Sequence, residues 1–330
     1  MVANITTAGN VTYLPFRFCT DVTPQCPVEH TIYGYYPSIG ANAFFTIFFL
    51  MAAVLQLYAG IRYKTWTYLL AMFVGSLDQG IGYIGRLMLH ANPFSTVGFQ
   101  IQICCLILGP AFNSAAIYLV LKHITLCFGP EYSHIRPTLY TWIFITGDLV
   151  SLVIQAIGGG IAATSMANKH RQEIGDRLMM AGIAFQVLTL SFFGVAAIIY
   201  IISRRRAHAP FSAEAHIFLR STKFRFFVLG FTIAFTAVFI RCVYRIVEMA
   251  GGWGNPIMQA EIPFIVLDGT MVAIATLMQT LFHPGWCFPR LSSAYIPLRP
   301  TSFASGARAA GSELHKLEKQ DTAGTSMEAV

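Results

Sequence analysis

The sequence predicts an all-α membrane protein, a bundle of seven transmembrane helices with the N-terminus outside and the C-terminus in the cytoplasm. Three observations carry this reading. Apolar residues make up 55% of the 330 and charged residues only 11%, against roughly a quarter charged in a soluble domain, and mean hydropathy is +0.59. The apolar residues fall in separate blocks of about 20 or more, the length that crosses a ~30 Å hydrocarbon core at ~1.5 Å per helical residue. Lysine and arginine are segregated onto alternate linkers, as cytoplasmic loops require.

The elements follow in order. Residues 1–37 form an extracellular or lumenal segment, because Asn4-Ile5-Thr6 and Asn10-Val11-Thr12 are the chain's two glycosylation sequons and such sites are modified only on that side. Cys19 and Cys26 lie in the same segment and are candidates for a small disulfide in an oxidising compartment, the alternative being two free thiols. No basic n-region and apolar h-region precede Phe16, so the first helix is expected to serve as its own insertion signal. The seven helices are expected at 38–61, 65–89, 98–122, 138–162, 178–202, 224–248 and 261–282. Linkers between them are short, which makes 38–282 one transmembrane domain with no second globular unit. The polar stretch 283–330 reads as a disordered cytoplasmic tail.

Charge fixes the expected orientation. Arg62, Lys64, Lys122, Arg136, Arg204, Arg205, Arg206, Arg220, Lys223, Arg225, Arg290, Arg299, Arg308, Lys316 and Lys319 fall on one side, and only Arg17, Lys169, Arg171 and Arg177 on the other. The net charge of +7 is thereby topological, and no nucleic acid partner is implied.

Polar residues inside the apolar blocks are the candidate site. A charge in hydrocarbon costs about 2.5–3.5 kcal/mol even on lenient insertion scales, so each one retained calls for a partner or a wet cavity. Helix 2 carries Gln79, Tyr83 and Arg86 on one face, with Asp78 beside them; helix 4 carries Asp148, Ser151 and Gln155. Helix 6 has Arg241, Arg245 and Glu248, helix 7 has Glu261 and Asp268, and Asn113 and Gln186 stand on helices 3 and 5. By depth these stripes converge on one layer, read as the lining of a polar cavity opening outward or laterally; the competing reading is interhelical pairing that only holds the bundle together. Arg241 and Arg245 are like charges one turn apart and need shared carboxylates or a bound anion. Gly158, Gly159 and Gly160 predict close helix approach, and Pro110 predicts a kink in helix 3.

Several chemistries are excluded. No phosphate-cradling G-x-x-x-x-G-K-[ST] loop exists, which argues against a primary pump. The histidines lie in loops, tails or helix ends, so no zinc site is expected within the bundle, and no cofactor. All six lysines lie outside the helical cores, which removes a retinal attachment point, and the motifs of common G-protein-coupled receptors are missing from helices 3 and 7.

At these residues the sequence resembles the fungal RTA-like family of lipid-translocating exporters, from about Tyr33 to Pro284. The matching features are Tyr35-Tyr36-Pro37-Ser38 with Asn42; Gly82-Tyr83-Ile84-Gly85-Arg86; Gly109-Pro110-Ala111; and Ala115-Ala116-Ile117-Tyr118. Asp148 with Gln155, Gly182 with Gln186, Arg241, Arg245 and Glu248, Glu261 with Asp268, and His283-Pro284-Gly285 complete the series. Where the family usually has Glu this chain has Gln79, with Asp78 beside it, and Ile265 stands where an aromatic is usual. The resemblance implies non-enzymatic export or transbilayer movement of amphipathic lipids, sphingoid-base-like or sterol-like, and resistance to toxic amphiphiles. The implied partner is a membrane lipid or amphipathic small molecule; the sequence identifies no protein partner. A seven-helix sensor signalling through residues 203–225 and the tail is the second reading.

The orientation has a direct check. Asn4 and Asn10 should carry glycans, and a tag after Val330 should resist protease in sealed right-side-out vesicles and be digested once they are permeabilised.

Overall fold

The computed structural model describes residues 6–8, 11–13, 19–129, 131, 133, 137–164, 169–207, 213–251 and 255–288. Asn4, Asn10 and the tail beyond 288 lie outside the described residues. A two-stranded antiparallel hairpin, β1 (Thr6–Ala8) and β2 (Val11–Tyr13), stands near the N-terminus. The long helices are α1 (Ile39–Tyr63), α2 (Trp66–Ala91), α3 (Thr96–Phe128), α4 (Pro137–Thr164), α5 (Lys169–Arg206) and α7 (Thr222–Ala250), with short α6 (Ala213–Arg220) before the last. A final rod is composite: α8 (Glu261–Pro263), seven π-helical residues Phe264–Thr270, then α9 (Met271–Leu281), and α10 (Pro284–Cys287) follows it.

Among the described residues six of these rods are long and apolar enough to cross a membrane. Helix α2 is not one of them, since Asp78, Gln79 and Arg86 sit within its 26 residues. Helices consecutive in the chain pack side by side, most extensively α1 with α2, α2 with α3 and α4 with α5. Between α1 and α2 the chain turns on Lys64 alone in the left-handed region (φ 54°), its N–H returning to Gly60 and Ile61. Ser95 caps α3 through a bond from the Gly98 N–H at 3.2 Å. Residues 19–38 lie against the end of the bundle where α2 finishes and α3 begins, tied there by Asn92 to Thr20 and Asp21. Cys19 and Cys26 are disulfide-bonded, with 5.8 Å between their Cα atoms.

Helix ends overrun the apolar blocks. Helix α5 begins at Lys169 rather than 178, so Lys169, Arg171 and Arg177 lie on helix and not in a loop; hydropathy marks the stretch that suits lipid, whereas backbone hydrogen bonding propagates past it. Residues 203–225, read as a loop, contain α6. Residues 283–288, read as the start of the tail, are packed against the helices. His283 accepts the Gly285 N–H as the cap of α10, and Phe288 is fully buried in an aromatic cluster with Phe218, Phe224 and Phe227. Pro110 stands inside an unbroken α3.

The glycine run divides by function. A Cβ on Gly158 would sit 2.5 Å from the Met179 backbone nitrogen, and one on Gly175 2.5 Å from that of Ala162. Helices α4 and α5 therefore touch backbone to backbone there. Among the described residues nothing lies within 4 Å of a Cβ added to Gly159 or Gly160, so close approach does not explain them. Gly158→Ala should thus destabilise by about 1–3 kcal/mol through overpacking while Gly159→Ala is neutral, read as the melting temperature of detergent-extracted protein.

Candidate functional site

Eleven of the twelve candidate side chains are buried, and Glu261 is partly so. The structure distributes them over several separate sets. In the first, Arg86 of α2 donates through Nε to Asn42 Oδ1 (3.0 Å) and through Nη2 to the Tyr35 hydroxyl (3.1 Å), and Glu261 lies 3.8 Å away. Its guanidinium also rests on the Phe264 ring, 4.0 Å from the centroid. Glu261 in turn accepts the Ser38 N–H at 2.6 Å, which fixes the start of α1 against the start of the last rod.

The second set is built on a missing hydrogen bond. Pro110 has no N–H to give the carbonyl four residues back, so the Leu106 carbonyl is left without its helical donor. Arg241 of α7 supplies one, its Nη2 standing 2.5 Å from the Leu106 oxygen. The same guanidinium donates through Nε to Asp268 Oδ1 at 2.9 Å, in the π-helical segment. Arg245 pairs with Glu248 and stands 3.9 Å from the same Asp268 oxygen. The like charges one turn apart thus share a carboxylate. Asn255 donates to the Glu248 carbonyl at 2.6 Å, holding the end of α7.

Tyr83 lies between these sets, stacked on Phe45 and Phe49 with its hydroxyl against Gly269, where a Cβ would come within 2.7 Å of it. Tyr33, which accepts from Gln102, closes the layer toward the N-terminal segment, and burial pushes its hydroxyl up to about 12.

The remaining candidates sit apart. Asp148 accepts from Ser114 (2.7 Å) and Tyr118 (3.0 Å), joining α4 to α3. Gln155 donates to Gln186 at 3.2 Å between α4 and α5, and Asn113 to Thr276 at 3.1 Å between α3 and α9. Gln79 packs against Gly109, its Nε2 lying where a Cβ on that residue would stand. The expected single polar cavity is therefore not what these residues line. A cavity of about 630 Å³ opens between α3 and α4, and of the twelve only Gln155 reaches it.

Sequence reasoning missed Ser114, Thr276, Gln102, Tyr33 and the Leu106 carbonyl. The hydroxyls had a signal, being polar at helical spacing in apolar blocks; the carbonyl had one only through Pro110.

The RTA1-like protein family matches residues 72–291. Among similar proteins is one named sphingoid long-chain base transporter RSB1 from Saccharomyces cerevisiae, 31% identical over 258 residues, covering 70% of this chain and 67% of that one. A Leptosphaeria maculans protein named lipid-translocating exporter-like protein RTA1 is 24% identical, covering 83% of this chain and 55% of its own. Protoporphyrin uptake protein 1 of Saccharomyces cerevisiae is 27% identical over 62% of this chain and 65% of its own. No solved structure matches.

Arg241→Ala should strip Asp268 of its nearest donor and lower thermal stability by about 3–5 kcal/mol. Replacing Arg241 by Met together with Asp268 by Leu should recover most of that loss, leaving about 1–3 kcal/mol for the unpaired Leu106 carbonyl, measured as melting temperature and membrane abundance.

Proposed function

Because the chain belongs to the RTA1-like family, we propose that it is a non-enzymatic, multi-pass membrane protein that moves amphipathic lipids, sphingoid-base-like or sterol-like, and thereby protects cells from toxic amphiphiles. Its helices α1–α5, α7 and the rod 261–281 act as seven crossings, with α2 the seventh because its polar side chains Gln79 and Arg86 are buried among its neighbours rather than turned to lipid. Residues 1–37 are outside and the tail is cytoplasmic, in the plasma membrane or a secretory-pathway membrane.

The observation that carries the head-group reading is unspent hydrogen-bonding capacity in the buried layer. Arg86 Nη1 and Tyr83 Oη are buried without a protein partner among the described residues. In hydrocarbon an unpaired polar atom is costly. A head-group hydroxyl would accept from the guanidinium and exchange a hydrogen bond with the phenol, while its chain remained in apolar surroundings. Glu261, with its side chain 23% exposed, is the charged member of this layer that reaches the surface and so marks the point of entry.

Cells expressing the protein should release a labelled long-chain base faster than controls and survive a higher dose of it, and the Arg241→Met, Asp268→Leu double variant should reach the membrane yet lose that resistance. Unaltered release, with ligand-dependent contacts made by α6 and the tail, would identify a sensor instead.

A further inference from the structure

The 630 Å³ cavity lies outside the charge network, and its lining has a different character. Its walls are Ile103, Ile107 and Leu108 of α3 facing Leu152 and Ala156 of α4, with Met179 of α5 behind. Ser95, the cap of α3, and Thr96 and Gln100 in its first turns line it beside the disulfide-closed segment. Among the described residues no Asp, Glu, Lys, Arg or His is part of the lining. From Thr96 to Leu108 the cavity descends about 18 Å along α3 at ~1.5 Å per residue, slightly more than half of a ~30 Å hydrocarbon core. The volume falls within the roughly 300–1,000 Å³ of small-ligand pockets.

The space is kept by the residues that border it. Gly159 and Gly160 line the cavity, and a Cβ on either would meet no described residue within 4 Å. One residue earlier, Gly158 is packed tight against α5. The α4–α5 contact and the cavity are therefore separate consequences of one glycine run.

We propose that this cavity holds the alkyl chain of a single-chain amphiphile, its head at Ser95, Thr96 and Gln100 and its chain running one leaflet deep between α3 and α4. The proposal rests on the lipid-transport reading and adds the place where the chain is held. An uncharged lining selects for chain rather than head-group charge. A long-chain amine and a long-chain alcohol of equal length should consequently bind alike, whereas the charge network would separate them.

The test uses the full-length protein in nanodiscs and a sphingoid-base analogue carrying a photoreactive diazirine in its chain and an alkyne tag. Adducts are expected in the α3 and α4 peptides that contain Ile103 to Leu108 and Leu152 to Gly160. Gly159→Phe and Gly160→Phe, whose rings project from positions where an added Cβ meets no described neighbour, should cut labelling by about tenfold or more, equivalent to ~1.4 kcal/mol, at unchanged melting temperature. The unlabelled alcohol should compete as well as the amine, and a two-chain phospholipid should not. Adducts confined to α7 and the rod 261–281, or undiminished labelling in both filled variants, would overturn the proposal, as would equal competition by phospholipid, the mark of bulk lipid in a surface groove. Release of the labelled base from cells is scored separately: intact release with undiminished labelling sinks the cavity and leaves the transport reading standing, and cavity labelling without release does the reverse.

Discussion

Arg241 holds together what Pro110 takes apart. A proline at that position in a long apolar helix leaves the Leu106 carbonyl without a helical donor, and in hydrocarbon no water can serve. The guanidinium of Arg241 fills that role across the α3–α7 interface. A buried guanidinium in turn needs a carboxylate, and Asp268 gives one from the third element. Three helices thus become mutually dependent through one side chain. Asp268 also lies near Arg245, and Arg245 pairs with Glu248, so the next turn of α7 is drawn into the same arrangement.

How much of this could be read from the sequence depends on the kind of group. Arg241, Arg245 and Asp268 were visible because charge is rare in an apolar block, and helical spacing put each on a definite face. Their mutual pairing was foreseeable as a need, since two arginines one turn apart require shared negative charge. The partner of Arg86 was less legible. Asn42 and Tyr35 belong to α1 and the segment before it, and spacing within a helix says nothing about which neighbour its face meets. The Leu106 carbonyl was invisible as a ligand because every residue has one; only the proline singles it out.

The cavity was illegible for the opposite reason. Its walls are isoleucine, leucine, alanine and glycine, the same residues that face lipid or fill a core. Composition cannot tell a filled apolar interface from an empty one; that distinction lives in packing. The glycine run signalled close approach, and at Gly158 the two backbones do meet. At the next two positions the same absence of a side chain leaves room instead.

Polar layer and apolar cavity divide the demands that an amphiphile makes on a membrane protein. The layer around Arg86 and Arg241 sets Arg86, Arg241 and Arg245 against Glu248, Glu261 and Asp268, a formally balanced set. A balanced set can exchange partners without leaving net charge in hydrocarbon, whereas an excess of either sign would have to move with a counter-ion. Asp268, which faces both α7 arginines, lies on the one stretch of that rod whose hydrogen bonds are π-helical. Such π-helical turns are rare and are found most often at functional sites. The carboxylate that both arginines share thus stands on the rod's π-helical turn rather than on regular α-helix.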